Sequence, residues 1–184
     1  MFSRIRPAHG FSLIELLMVI AVSATLAAVS VPILMDVSEG TKLNAATREI
    51  ERELQSARLK AVSVNRTLRV RLNCPAAGYV RTVEYLGNAV DTSSNRCLMS
   101  AFPYPAADTE LSTRPNYDGP LRILPNGATV TSGIIEFRPD GTAYDVVSNA
   151  PVAIGAPLSL TVTRNGKSRT VTVNGAGKIT LQLQ

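Results

Sequence analysis

Apolar and polar positions change their spacing along the chain, and each change marks a structural element. From Phe11 to Met35 the residues are apolar or small, and Glu15 is the only charge. Helix over that segment rises roughly 38 Å, enough to cross the hydrocarbon core of a bilayer. Asp36, Ser38, Glu39 and Gly40 then form a polar break. Beyond it, Leu43, Ala46, Ile50, Leu54, Ala57, Ala61 and Val64 recur at steps of three and four, the stripe of a one-sided helix. Lys42, Arg48, Glu49, Arg52, Glu53 and Arg58 lie mainly off that stripe.

From Thr67 the period becomes two. Leu68, Val70 and Leu72 alternate with Arg69 and Arg71, which predicts a half-buried strand, and residues 79–85 alternate similarly. An irregular stretch rich in Asn, Ser, Thr and Pro follows, from about Gly87 to Pro120. Ile134 to Phe137 predicts a strand ending in the turn Arg138-Pro139-Asp140-Gly141. Leu158–Arg164 and Lys167–Val173 flank Asn165-Gly166, a strong two-residue hairpin signal. In that register Arg164 opposes Lys167 and Val162 opposes Arg169. Leu160, Val162, Val171 and Val173 then share an apolar face. Ile179 to Leu183 predicts a last strand. A helix followed by an antiparallel sheet with one apolar face is an α+β roll.

Composition narrows the chemistry. Among 184 residues the only histidine is His9, and no spacing of Asp, Glu, Lys and Ser suggests a catalytic pair. Loss of the first ten residues would leave no imidazole for acid–base catalysis, nucleophile activation or zinc ligation. The expectation is a non-enzyme without metal or cofactor. Net charge is +5, mildly basic and compatible with an anionic partner without requiring one. Cys74 and Cys97 are too few for a four-thiolate site and do not form a C-x-x-C motif. Outside the cytoplasm a disulfide is the economical reading, constraining the unfolded chain by roughly 3 kcal/mol, with two buried thiols as the alternative.

The N-terminal segment admits three readings. Arg4 and Arg6 precede the apolar run, which places the short N-terminus in the cytoplasm and sends the rest across the membrane. A cleavable signal peptide, with small residues such as Ala28 and Ser30 near its cut, and a plain anchor both fit that arrangement. Glu15 argues against both, because an intramembrane carboxylate costs about 2.5–3.5 kcal/mol on insertion scales. A cut between Gly10 and Phe11 would create an ammonium at the same depth. Between neighbouring chains, that ammonium and Glu15 neutralise each other only when subunits stack in register.

The run Gly10-Phe11-Ser12-Leu13-Ile14-Glu15-Leu16-Leu17 resembles the leader junction of type IV pilins and type II secretion pseudopilins. The resemblance implies cleavage after Gly10 by a prepilin peptidase, N-methylation of Phe11, and Glu15 guiding entry into a helical filament. Pro32 suits such a helix, and by removing one backbone donor should kink or loosen it locally. Ala57-Arg58…Ala61…Asn65-Arg66…Val70-Arg71-Leu72 and Ile135-Glu136-Phe137-Arg138-Pro139-Asp140-Gly141 resemble the GspH/FimT branch of minor pilins. The resemblance implies a leader over residues 1–10, a transmembrane, filament-core segment over 11–35, an amphipathic half-helix over 36–66 and a periplasmic β domain over 67–184. It implies an inner-membrane protein that meets other pilins, the prepilin peptidase and an assembly platform.

Two roles remain open for such a subunit. One is structural, initiating or capping a type II secretion pseudopilus or type IV pilus. The other is DNA capture, which in some FimT-like proteins is attributed to a G-R-x-R element. Here the corresponding stretch is Gly177-Lys178-Ile179-Thr180, with one basic residue in place of two. Arg164, Lys167, Arg169 and Lys178 would form a DNA-binding patch if the terminal loops lie together. Otherwise the hairpin charges keep a sheet edge soluble.

Overall fold

The computed structural model describes residues 12–105 and 117–182. Its one long helix, α1, spans Leu13–Val64. The chain divides after Glu39 into two units. In the first, every described side chain from Ser12 to Ser38 is exposed. The helix runs through Pro32, which can donate no bond to the backbone ladder.

In the second unit the sequence stripe becomes the core. Leu43, Ala46, Ile50, Leu54, Ala57 and Ala61 are buried. The helix ends at Asn65, whose φ of 52° is left-handed. The Asn65 amide donates to Val62 O and the Arg66 amide to Ala61 O, so two terminal carbonyls find donors as the chain turns.

Strands β1 (Leu68–Leu72), β2 (Tyr79–Glu84), β3 (Leu121–Ile123), β4 (Thr129–Val130), β5 (Gly133–Phe137), β6 (Ala143–Val147), β7 (Ala150–Ala153), β8 (Leu158–Arg164), β9 (Lys167–Val173) and β10 (Ile179–Gln182) follow. They form two antiparallel sheets rather than the single one expected. One has the order β3-β2-β1-β5-β6-β7, the other β10-β9-β8-β4. Leu68, Val70 and Leu72 join Ile135 and Phe137 in the core, as do Leu160, Val162, Val171 and Val173 from the second sheet. The helix stripe and both apolar sheet faces thus share one hydrophobic cluster.

The β8–β9 hairpin has the register expected from sequence, Arg164 opposite Lys167 and Val162 opposite Arg169. Asn165 and Gly166, at φ 46° and 76°, supply the two left-handed positions of a type I′ turn. A second such hairpin, absent from the sequence expectation, joins β6 to β7 through Ser148 and Asn149, both at positive φ. Its outer strand β7 contains Pro151, tolerated because an outermost strand has one side without a partner.

The alternation of β1 also needs correction. Arg69 does not face solvent; it is 1% exposed, as buried as the leucines beside it. The segment after β2 returns across that face and is tied down by a Cys74–Cys97 disulfide, with Cα atoms 5.6 Å apart. A 3-10 turn, Ala89–Thr92, capped by Asn88, lies on its irregular path. Both faces of β1 are therefore covered.

Candidate assembly surface and basic positions

Glu15 lies in the first turn of α1, the one acid on an exposed apolar surface. The side chains around it are exposed too, from 76% for Leu13 to 54% for Leu17. So continuous an exposed apolar band is the kind of surface that lipid or another protein covers. The helix is long and apolar enough to cross a membrane. Gly10 and Phe11, the expected processing positions, lie outside the described residues.

The four candidate DNA-binding residues are not one patch. Arg164 and Lys167 oppose each other at the β8–β9 tip, and Arg169 follows Lys167 on the same face of the strand. Their face is the one that carries Leu160, Val162, Val171 and Val173 further along, so these cations begin where the core stops. Lys178 sits elsewhere. The next residue, Ile179, pairs with Val173 at the opposite end of β9, roughly 20 Å from Lys167 at strand rise.

Lys178 instead neighbours a junction of three sequence motifs. Arg58 on α1 donates from Nε to Gly141 O (2.9 Å) and from Nη2 to Ala176 O (3.1 Å). It thereby ties the helix to the turn after β5 and the turn before β10. Gly177, at φ 72°, makes the contact close: a Cβ there would fall 2.2 Å from Gly141 O and 2.6 Å from Arg58 Nε. Replacement of Gly177 by Ala is expected to cost about 2 kcal/mol or more, combining left-handed strain with displacement of the Arg58 bridge. Denaturant unfolding of the variant measures this cost. The glycine of the Gly177-Lys178 element thus has a packing reason to be there. Beside it, the Thr142 hydroxyl and amide both donate to Asp140, and these bonds hold its carboxyl below the usual range.

The periodicity missed a buried charged layer on the covered face of the six-stranded sheet. Arg69 donates to Glu136 Oε2 from Nε (3.0 Å) and Nη2 (2.9 Å), and to the Asn149 side chain. Arg138 donates to the other Glu136 oxygen at 3.2 Å. Tyr85 lies 4.0 Å from the Arg69 guanidinium and Tyr144 3.8 Å from that of Arg138, within cation–π reach. Arg96 forms a buried ion pair with Asp118 and donates to Glu84 O. Arg81 reaches the carbonyls of Gly119 and Phe102, and Arg71 that of Asp91. Burial lowers the pKa of Arg71 and Arg81, and in Arg71 the nearby Arg96 and Arg69 cations lower it further.

Arg71 and Arg81 fasten the covering segment by satisfying the carbonyls of Asp91 and Phe102. Each arginine of the layer is held by the bonds described above. Among the described residues no group of His, Cys, Asp and Glu could hold a metal ion.

The family model "Type II transport protein GspH" matches residues 46–177, and the prokaryotic N-terminal methylation motif matches residues 5–31. No curated protein matches the chain. Among solved structures, the type IV minor pilin FimU of Pseudomonas aeruginosa is similar in two crystal forms. One has 18% identity and a TM-score of 0.49, covering 80% of this chain and 92% of FimU. The other has 17% identity and a TM-score of 0.44, covering 76% and 92%.

Proposed function

Because the chain belongs to the GspH family of type II transport proteins, a family of pilin-like structural subunits, we propose that it is cut between Gly10 and Phe11 and enters a filament through its N-terminal helix. Residues 1–10 are the leader, 11–35 the membrane and filament-core segment, 36–66 the amphipathic half-helix and 67–184 the periplasmic domain. A prepilin peptidase removes the leader and Phe11 is N-methylated. In the membrane, Glu15 takes the Phe11 ammonium of a neighbouring subunit as its partner. The subunit joins other pilins at an inner-membrane platform and helps to initiate or cap a secretion pseudopilus or type IV pilus.

The observation that carries this reading is the exposed apolar surface of α1 with Glu15 as its single charge. DNA capture draws support only from Arg164, Lys167 and Arg169 on the β8–β9 hairpin, since Lys178 lies at the other end of the sheet. Fractionation tests the filament role. In cells with an active prepilin peptidase the chain should appear in the sheared or sedimented filament fraction, and in peptidase-deficient cells it should remain in the membrane. An equal distribution in both strains would contradict the reading.

A further inference from the structure

The second half of α1 carries two large apolar side chains that the core does not use. Leu59 is 70% exposed and Val62 48%. Leu59 lines an open cleft of about 310 Å³ together with Gln55, Arg58, Gly177, Lys178 and Ile179. Arg58 and Lys178 are its only charged residues, and both are cationic. Arg52, Arg69, Arg96, Arg122 and Arg138 each have a carboxylate partner. Arg58 gives its Nε and one Nη2 bond to main-chain carbonyls, which carry no net charge. Among the described residues, neither Arg58 nor Lys178 has a carboxylate within ion-pair distance. The Arg58 guanidinium and the Lys178 backbone are nonetheless both anchored. Arg58 bridges the two turns through its guanidinium, and the Lys178 amide donates to Asn174 Oδ1, leaving its exposed side chain to reach an occupant.

We propose that this cleft receives a helix of a neighbouring filament subunit, through a carboxylate placed between Arg58 and Lys178 and aliphatic side chains laid on Leu59 and Ile179. The inference rests on the filament-subunit reading and adds a contact outside the membrane to the one at Glu15. Charge complementarity selects an acidic occupant. The apolar wall then selects among acidic occupants. Nucleic acid would gain from two cations but would leave Leu59 and Ile179 uncovered, and the cleft has no aromatic ring on which a base could stack. A helix with an acid and aliphatic residues three or four positions away presents both features on one face.

Two measurements on the full-length chain, expressed with the other filament subunits, test the assignment. First, a benzophenone amino acid at Leu59 should crosslink to an acid-containing helical peptide of a subunit with an N-terminal methylation motif. Lys178→Glu should lower that yield at least ten-fold, and reversing the partner acid to Lys should restore it. Second, a zero-length carbodiimide should join unmodified Lys178 to the same carboxylate, with no variant needed.

Crosslinks to DNA, crosslinks only to proteins without that motif, or yields indifferent to Lys178→Glu would overturn the proposal. Absence of both crosslinks in a chain recovered from the filament fraction would also overturn it, leaving the filament reading intact. Absence of the unmodified chain from the filament fraction would instead remove the filament reading, and this proposal with it.

Discussion

Replacing Glu136 by Ala is expected to destabilise the β domain by about 3–5 kcal/mol, the cost of leaving a buried charge without its partner. Arg69 is 1% exposed, and its guanidinium is held by Glu136, Asn149 and the face of Tyr85. The substitution removes the carboxylate paired with Arg69 among the described residues and also takes it from Arg138. Thermal unfolding followed by tyrosine fluorescence should show a fall in midpoint on the order of 10 °C. A double variant, Arg69→Met with Glu136→Leu, should recover much of the loss, because the desolvation cost of both ions disappears with them. If Glu136→Ala unfolds within about 1 kcal/mol of the parent, Arg69 finds enough solvent or alternative bonding and the layer is not structural.

Glu15→Val should separate insertion from assembly. Removing the carboxylate lowers the cost of placing α1 in lipid by about 2.5–3.5 kcal/mol, so membrane insertion should be unchanged or improved. Recovery of the chain in the filament fraction should nevertheless fall at least ten-fold. On the proposed pairing, the Phe11 ammonium of a neighbour would then enter the apolar core without a counter-charge, and even 1.4 kcal/mol of mismatch changes a partition tenfold. Glu15→Asp shortens the side chain and keeps the charge, so it should retain part of the assembly. Normal recovery of Glu15→Val would show that the acid does not set the register.

Features written in local periodicity were legible from the sequence. The α1 stripe from Leu43 to Ala61 and the β8–β9 register follow from residues close together in the chain. The β6–β7 hairpin was not legible, because Ser148-Asn149 is a weaker turn signal than Asn165-Gly166 although both residue pairs adopt positive φ. Arg69 was misplaced for a different reason. Alternation assigns an arginine to water, and its burial is made tolerable by Glu136 and Asn149, 67 and 80 positions away. The Arg58 bridge joins residues up to 118 positions apart. Arg58 and Gly141 were visible as separate motif residues and Ala176 was not, and no spacing rule could have brought the three together. The basic positions show the converse, since Lys178 reads as a fourth member of the hairpin cations until strand pairing sends it to the other end of the sheet.

The most direct test of a processed filament subunit is the mature N-terminus, measured by mass spectrometry of the protein isolated from its own membrane or filament. The account predicts a chain that begins at Phe11 and carries one methyl group on its amine. A chain that retains Met1, or one that begins near Val31 after signal-peptide cleavage, would contradict it.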